Sequence, residues 1–218
     1  MQIEIWSDVV CPWCYIGKRR LERALGEFEH ADEVEVTWRS FQLNPDAPAT
    51  AVPTLDYLAQ RFGPQAQAMT ARVAELGKGE GLNLDFASSL TVNTLEAHRM
   101  LHLAADLGIG DAAKERLLRA HFTEGADVSD HETLTKLMVE AGPLQASTVE
   151  ARVREVLAGT EYADAVQADI DMARRLGANG VPFFVIDRKY GISGAQAPET
   201  FLHALRTAYA AEEAGAVQ

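Results

Sequence analysis

Cys11 and Cys14 are the only two cysteines in this chain of 218 residues, and they lie three apart in the stretch SDVVCPWCYIGKRRLERAL, Ser7 to Leu25. Three chemistries fit such a pair. A structural zinc site needs roughly four Cys or His ligands. Here the further candidates, His98, His102 and His121, fall in a distant helical stretch, where His98 and His102 make half a site at most. No metal is expected. A four-cysteine iron–sulfur cluster is excluded within one chain. A permanent bridge between residues so close would constrain little of the unfolded chain. An inert reduced pair is the plain alternative. Redox exchange has the most support, because the pair follows a strand pattern and opens a helix.

That position has electrostatic consequences. At a helix start, backbone N–H groups point outward and the dipole is positive, which favours a thiolate. Cys11 is therefore expected to ionise below the ~8.5 of a free thiol. Pro12 lacks an N–H and suits the first turn. Cys14 should lie one turn further in, facing Cys11 and more deeply buried. Trp13 either offers substrate a flat apolar contact or packs on the helices. Asp8 either helps to move the Cys14 proton or caps a turn. In GVPFF, Val181–Pro182 opens a strand. Beside a redox pair we expect the cis form, with the Val181 backbone presented next to Cys11; a trans proline at a strand start is the alternative.

The elements that must position these residues are legible from periodicity. Gln2–Asp8 alternates apolar and polar, residues 11 to 28 have helical spacing, and Val34–Leu43 alternates again. This predicts a parallel strand pair joined by a helix. The three prolines of Asn44–Pro53 break the pattern. Helices are then predicted over 54–62, 64–77, 94–107, 111–123, 130–141, 147–157 and 160–176, with an extended link over 77–86. Ser129 with Glu132, Ser147 with Glu150, and Asn93 with Glu96 resemble start signals. Gly108, Gly142, Gly159 and Gly177 resemble stops. Strands return at Val181–Asp187 and Arg188–Gly194, before a last helix opened by Pro198. The fold class is α/β, in the order βαβ, a large all-helical insertion, then ββα. The expected division is 1–45, 46–176 and 177–218, the middle piece interrupting one sheet domain.

Bulk charge narrows the partners. The formal net charge is -12, so phosphate backbones and anionic membrane surfaces would repel the chain. Neither nucleic acid nor membrane is an expected partner. MQIEIWSDVV has no signal-like start, and a cytoplasmic setting is expected. In that reducing compartment a disulfide is usually catalytic or redox-sensing.

DVVCPWCYIGKRRLE, FQLNP, NTLEAHRM, HFTEGADVSD and GVPFFVIDRKYGISGAQ occur in this order. Together they resemble the DsbA-like thioredoxin-fold family, in its FrnE-type branch, over nearly the whole chain. The resemblance implies a thioredoxin-like fold with a helical insertion. It implies Cys11 as nucleophile, Cys14 as resolving cysteine and Pro182 as the cis-proline, acting as a disulfide oxidoreductase or isomerase on thiols or disulfides of proteins or small molecules. The redox-active Cys11–Cys14 disulfide would take the place of a tightly bound cofactor. His98 is a candidate to line the groove. Ser193, Gly194 and Gln196 fall near where related enzymes hold glutathione, although a turn is the simpler reading. Related 2-hydroxychromene-2-carboxylate isomerases and kappa-class glutathione transferases usually carry serine at the first cysteine position. A glutathione-dependent isomerase or transferase is thus the alternative function, and a non-enzymatic binding or chaperone module another. Glutathione stays open as substrate or reductant, and an exposed insertion face leaves a homodimer open.

Overall fold

A computed structural model describes residues 1–216. Strand β1 (Gln2–Ser7) runs into helix α1 (Pro12–Gly26), and the chain returns as β2 (Glu35–Ser40). Near the other end, β5 (Phe183–Ile186) and β6 (Tyr190–Ser193) form a hairpin followed by helix α9 (Pro198–Ala216). The four strands make one sheet in the order β2-β1-β5-β6. β1 is parallel to β2, with Ile5 opposite Trp38, and antiparallel to β5, with Ile5 opposite Phe184.

The alternation in β1 divides its side chains between two layers. Ile3 and Ile5, with Phe184, Ile186 and Ile192, pack on Leu21 and Ala24 of α1, on Phe28 just after it, and on Phe201 and Leu205 of α9. Each such large side chain contributes roughly 1.5–3 kcal/mol when fully buried. Glu4 and Trp6 face the opposite layer. Trp6 packs on Val185 and Ala173, and its Nε1 donates to the Asp169 carbonyl at 2.8 Å. Glu4 is buried but accepts hydrogen bonds from both Arg39 and Arg188. Burial opposes its ionisation, yet those two arginines hold its pKa below the ordinary value.

Between β2 and β5 lie helices α2 (Thr54–Phe62), α3 (Gln65–Gly79), α4 (Leu95–Asp106), α5 (Gly110–Glu124), α6 (His131–Glu140), α7 (Ala146–Ala158) and α8 (Ala163–Arg175). They match the predicted spans to within three residues at each end. One feature differs from an all-helical insertion: β3 (Val52–Pro53) pairs antiparallel with β4 (Leu90–Thr91). Its brevity hides it from any period-2 reading. The insertion has its own core, built from side chains such as Met100, Leu117, Leu134 and Val153, and Val9 enters it from the turn after β1. Asp169 of α8 fastens this unit to the sheet. Its carboxylate accepts from the Ser40 amide at 2.9 Å and pairs with His102 at 3.2 Å.

The start signals need correction in detail. Asp130, not Ser129, caps α6 by accepting from the Thr133 amide at 2.8 Å. No side chain caps α7, which starts one residue ahead of Ser147. Asn93 accepts from the Leu95 amide at 2.9 Å, while Thr94 occupies the cap position. Gly108 and Gly177 do terminate helices, at φ of 72° and 80°, where a β-carbon would strain the backbone. Gly142 likewise follows the end cap of its helix, close to Ile109 but without a positive φ, and Gly159 ends α7 in extended backbone.

Gly17 sets how closely α1 approaches the β5 strand. A β-carbon there would lie 3.0 Å from Pro182 and 3.2 Å from Phe184. Gly17→Val should therefore destabilise the protein by about 1–3 kcal/mol through overpacking. Urea unfolding would register this as a lower midpoint, and a midpoint equal to that of the parent protein would refute the tight approach.

Candidate active site

The polypeptide turns sharply after β1, with the Cys11 amide donating to the Asp8 carbonyl at 3.4 Å. Cys11 is the residue that caps α1, in extended conformation, and Pro12 occupies the first turn. The Cys14 amide donates back to the Cys11 carbonyl at 3.0 Å. Both cysteines are free thiols, and their sulfurs are within hydrogen-bonding reach of one another. The Val181–Pro182 peptide bond is cis. It places the Val181 carbonyl 3.6 Å from Cys11 Sγ, and the Pro182 carbonyl accepts from the Gly194 amide at 2.8 Å.

Both sulfurs are largely withdrawn from solvent, but they differ in outlook. Cys11 lines a cavity of about 450 Å³ together with Pro12, Trp13 and Val181, whereas Cys14 does not. Trp13 is 39% exposed at this cavity. An incoming sulfur therefore meets Cys11 first.

Charged groups gather close to the pair. Asp8 is almost wholly buried, with one oxygen 3.2 Å from His98 Nε2 and the other accepting from the Leu43 amide at 2.8 Å. Burial opposes its charge, but the His98 and Leu43 hydrogen bonds and the nearby Lys114 hold its pKa below the ordinary carboxylate value. An ionised Asp8 requires the proton on His98 Nε2. Lys114 of α5 is completely buried, its Nζ lacks a hydrogen-bond partner, and it sits 5.4 Å from the centre of the Trp38 ring. Burial pulls its pKa down to about 8, against the opposing pull of Cys14 and then Asp8. At neutral pH the amine is therefore mostly protonated.

These groups determine where the dithiol carries charge. Cys14 ionises below an ordinary thiol: burial resists, but the hydrogen bond from Cys11 and the charge of Lys114 prevail. The Cys11 thiol is raised by its hydrogen bond to Cys14, by burial, and by the adjacent Cys14 and Asp8 charges. The pair thus loses a first proton easily and holds the second tightly. This corrects the expectation that the helix start alone would favour a Cys11 thiolate. The backbone amide of Cys14 does help Cys11, but two anions cannot share this buried spot.

The remaining sequence candidates fall into two groups. His98 is fully buried and does not line the groove; it serves Asp8 instead. His102, four residues on, is occupied by Asp169 and Ser40, so the two imidazoles are committed to separate partners. Ser193, Gly194 and Gln196 lie where β6 leads into α9 and are outside the cavity lining. There the Gln196 side chain donates to the Ser193 carbonyl at 2.8 Å, as in a turn. Lys114 was not singled out from sequence, and His121 only as a distant candidate metal ligand. Their spacing held a signal, since Lys114, Leu117, Leu118 and His121 follow the i, i+3, i+4, i+7 pattern of one buried helix face.

Comparison with known proteins agrees with this geometry. The sequence profile of the DSBA-like thioredoxin domain matches residues 2–206. A probable DsbA oxidoreductase from Streptomyces coelicolor is 44% identical, with 96% of this chain and 90% of that one covered at a TM-score of 0.89. The YwbO protein of Bacillus subtilis is 29% identical over 65% of this chain, a match that spans 66% of that protein. The cytosolic disulfide reductase DsbM from Pseudomonas aeruginosa, in its structure with GSH, shares the fold at 22% identity and a TM-score of 0.61, covering 95% and 98% of the two chains. A match over residues 2–206 spans nearly the whole chain, and this chain belongs to the family with the DsbA-like thioredoxin domain.

Proposed function

We propose that the protein is a thiol–disulfide oxidoreductase in which Cys11 is the nucleophile and Cys14 the resolving cysteine. The observation that carries this reading is the asymmetry of the pair: Cys11 lines the cavity beside the Val181 carbonyl, and Cys14 lies behind it, within reach of its sulfur. The proton of Cys11 passes along their shared hydrogen bond to Cys14. The resulting thiolate attacks one sulfur of a substrate disulfide, and the departing half leaves as a thiol after taking a proton. Cys14 then gives up its proton and attacks Cys11. The second half of the substrate is released as a thiol, and the Cys11–Cys14 disulfide remains. The substrate has gained the two electrons that the dithiol has lost, and the reverse sequence oxidises a dithiol substrate.

Several finer parts of the reading rest on the same site. The redox-active disulfide is the chain's own, and glutathione is an available reductant, in keeping with the glutathione in the DsbM structure. A reducing, cytoplasmic setting suits a pair that works by opening and closing. No helix among the described residues is long and apolar enough to cross a membrane.

The cysteine roles are separable by mutation. Cys14→Ser should accumulate a mixed disulfide through Cys11, visible by mass spectrometry as an adduct that a reductant removes. Cys11→Ser should lose essentially all insulin disulfide turnover. Full turnover by Cys11→Ser would reject the mechanism.

Lys114 supplies a pH test. Its charge favours the anion of the pair, so Lys114→Met should move the pH–rate profile of exchange to higher pH. Below the pKa, each unit of that displacement lowers the thiolate fraction roughly tenfold. A thiolate absorbance titration should move the same way. A lower rate with an unmoved profile would mean that Lys114 only packs.

A further inference from the structure

The cavity beside Cys11 has walls that the exchange mechanism does not explain. They come mainly from the insertion: Tyr57 and Phe62 of α2, Met69 of α3, Phe86, and Phe122 of α5. Among the described residues, four of the seven exposed large hydrophobic side chains, Trp13, Leu43, Phe62 and Met69, line this one cavity. Isolated apolar residues on a surface mean little, but a contiguous set around a reactive sulfur marks a binding site. A volume of about 450 Å³ lies in the ~300–1,000 Å³ range of small-molecule sites.

Two polar groups interrupt the apolar lining without partners of their own. Arg61 of α2 is exposed, rests 5.6 Å from the Phe62 ring centre, and forms no ion pair among the described residues. His121 is 2% exposed, and its Nδ1 is buried with no hydrogen-bond partner. Burial lowers its pKa to about 4, so the imidazole is neutral at physiological pH and suited to a hydrogen bond rather than an ion pair. Asp8 also lines the cavity, but its oxygens are already taken by His98 and the Leu43 amide. Arg61 is therefore the available charge, and it selects an anion, on a protein whose net charge of -12 would otherwise repel one.

The geometry points to a small-molecule disulfide, or its thiol, with an aromatic body held among Tyr57, Phe62 and Phe122 and a carboxylate paired to Arg61. This rests on the exchange reading and adds the substrate class. Aromatic walls favour flat rings by offset or edge-on contact. An extended protein segment would draw mainly on backbone hydrogen bonds, whereas beyond Val181 the walls named here are side chains.

The test uses the reduced full chain in single-turnover stopped flow with four disulfides. These are dithiobis(nitrobenzoate), an aromatic dianion; dithiodipyridine, aromatic and neutral; cystamine, aliphatic and cationic; and insulin. Each rate is divided by that of the same disulfide with free cysteine at the same pH, which removes intrinsic reactivity. The expected result is a saturable rate for dithiobis(nitrobenzoate), with a normalised advantage of roughly twofold to fivefold over dithiodipyridine and more over cystamine. Arg61→Glu should abolish the advantage of the anionic over the neutral aromatic reagent, and Arg61→Lys should keep most of it. Met69→Trp, which fills the cavity, should slow both aromatic reagents more than cystamine. Equal normalised rates for all four would overturn the substrate class and leave the exchange reading intact. A preference for insulin would overturn it in favour of a protein occupant. No exchange with any of them would overturn the exchange reading itself.

Discussion

One negative charge shared by two buried sulfurs is the constraint to which the rest of the site answers. An anion withdrawn from water is strongly penalised unless something nearby compensates it. Here the compensation is unusual. A lysine that is itself completely buried, with no hydrogen bond to its amine, faces the Cys14 charge. Each group makes the other's charge tolerable: the lysine favours the Cys14 thiolate, and that thiolate is the largest influence keeping the lysine protonated. Asp8 enters the same balance with the opposite sign for Cys11, and His98 keeps Asp8 ionised.

The two parts of the fold divide this labour. The sheet domain supplies the sulfurs and the Val181 carbonyl, since β1 ends where α1 begins and β5 runs beside β1. Asp8, which opposes charge on Cys11, follows β1, while the cation beside Cys14, Lys114 on α5, and the partner of Asp8, His98 on α4, come from the insertion. Trp38 of β2 lies beneath Lys114, and its Nε1 donates to Asp111 at 3.0 Å, which ties α5 to the sheet. An insertion fixed this firmly acts as the back wall of the active site. Its α2 and α3 helices form the opposite wall of the cavity.

How much of this was readable in the sequence depends on the range of the interaction involved. Helices and strands were legible because periodicity is local, and the spans of α2 to α8 follow it closely. The spacing of Cys11, Pro12 and Cys14 at a strand–helix junction was legible for the same reason. The ionisation of the pair was not, because it depends on Lys114, a hundred residues from Cys14 in the chain. Its spacing in α5 puts Lys114 on a buried helix face, but only the packing of that face shows that it meets Trp38 and the Cys14 charge. His98 was read as a groove residue, yet its ring reaches Asp8 across ninety residues. Ser193, Gly194 and Gln196 were legible as a turn; Ser193 ends strand β6, and the turn begins after it, where the Gln196 amide donates to the Gly194 carbonyl.

For the exchange proposed above, the direction in which the pair prefers to run follows from the same electrostatics. A disulfide carries no charge, so charges around the cysteines act almost entirely on the reduced state. Whatever stabilises its anion favours the dithiol and makes the protein a stronger oxidant; whatever opposes the anion makes it a stronger reductant. Lys114 and the amides at the start of α1 belong to the first group, and ionised Asp8 to the second. About 30 mV corresponds to roughly 1.4 kcal/mol for this two-electron couple, comparable to the effect of one buried charge moving slightly. The CPWC sequence therefore does not fix the potential by itself. It is set by a contest between residues outside the motif, and the cation among them is held by the helical insertion, so changes in that insertion could retune the redox pair without altering either cysteine.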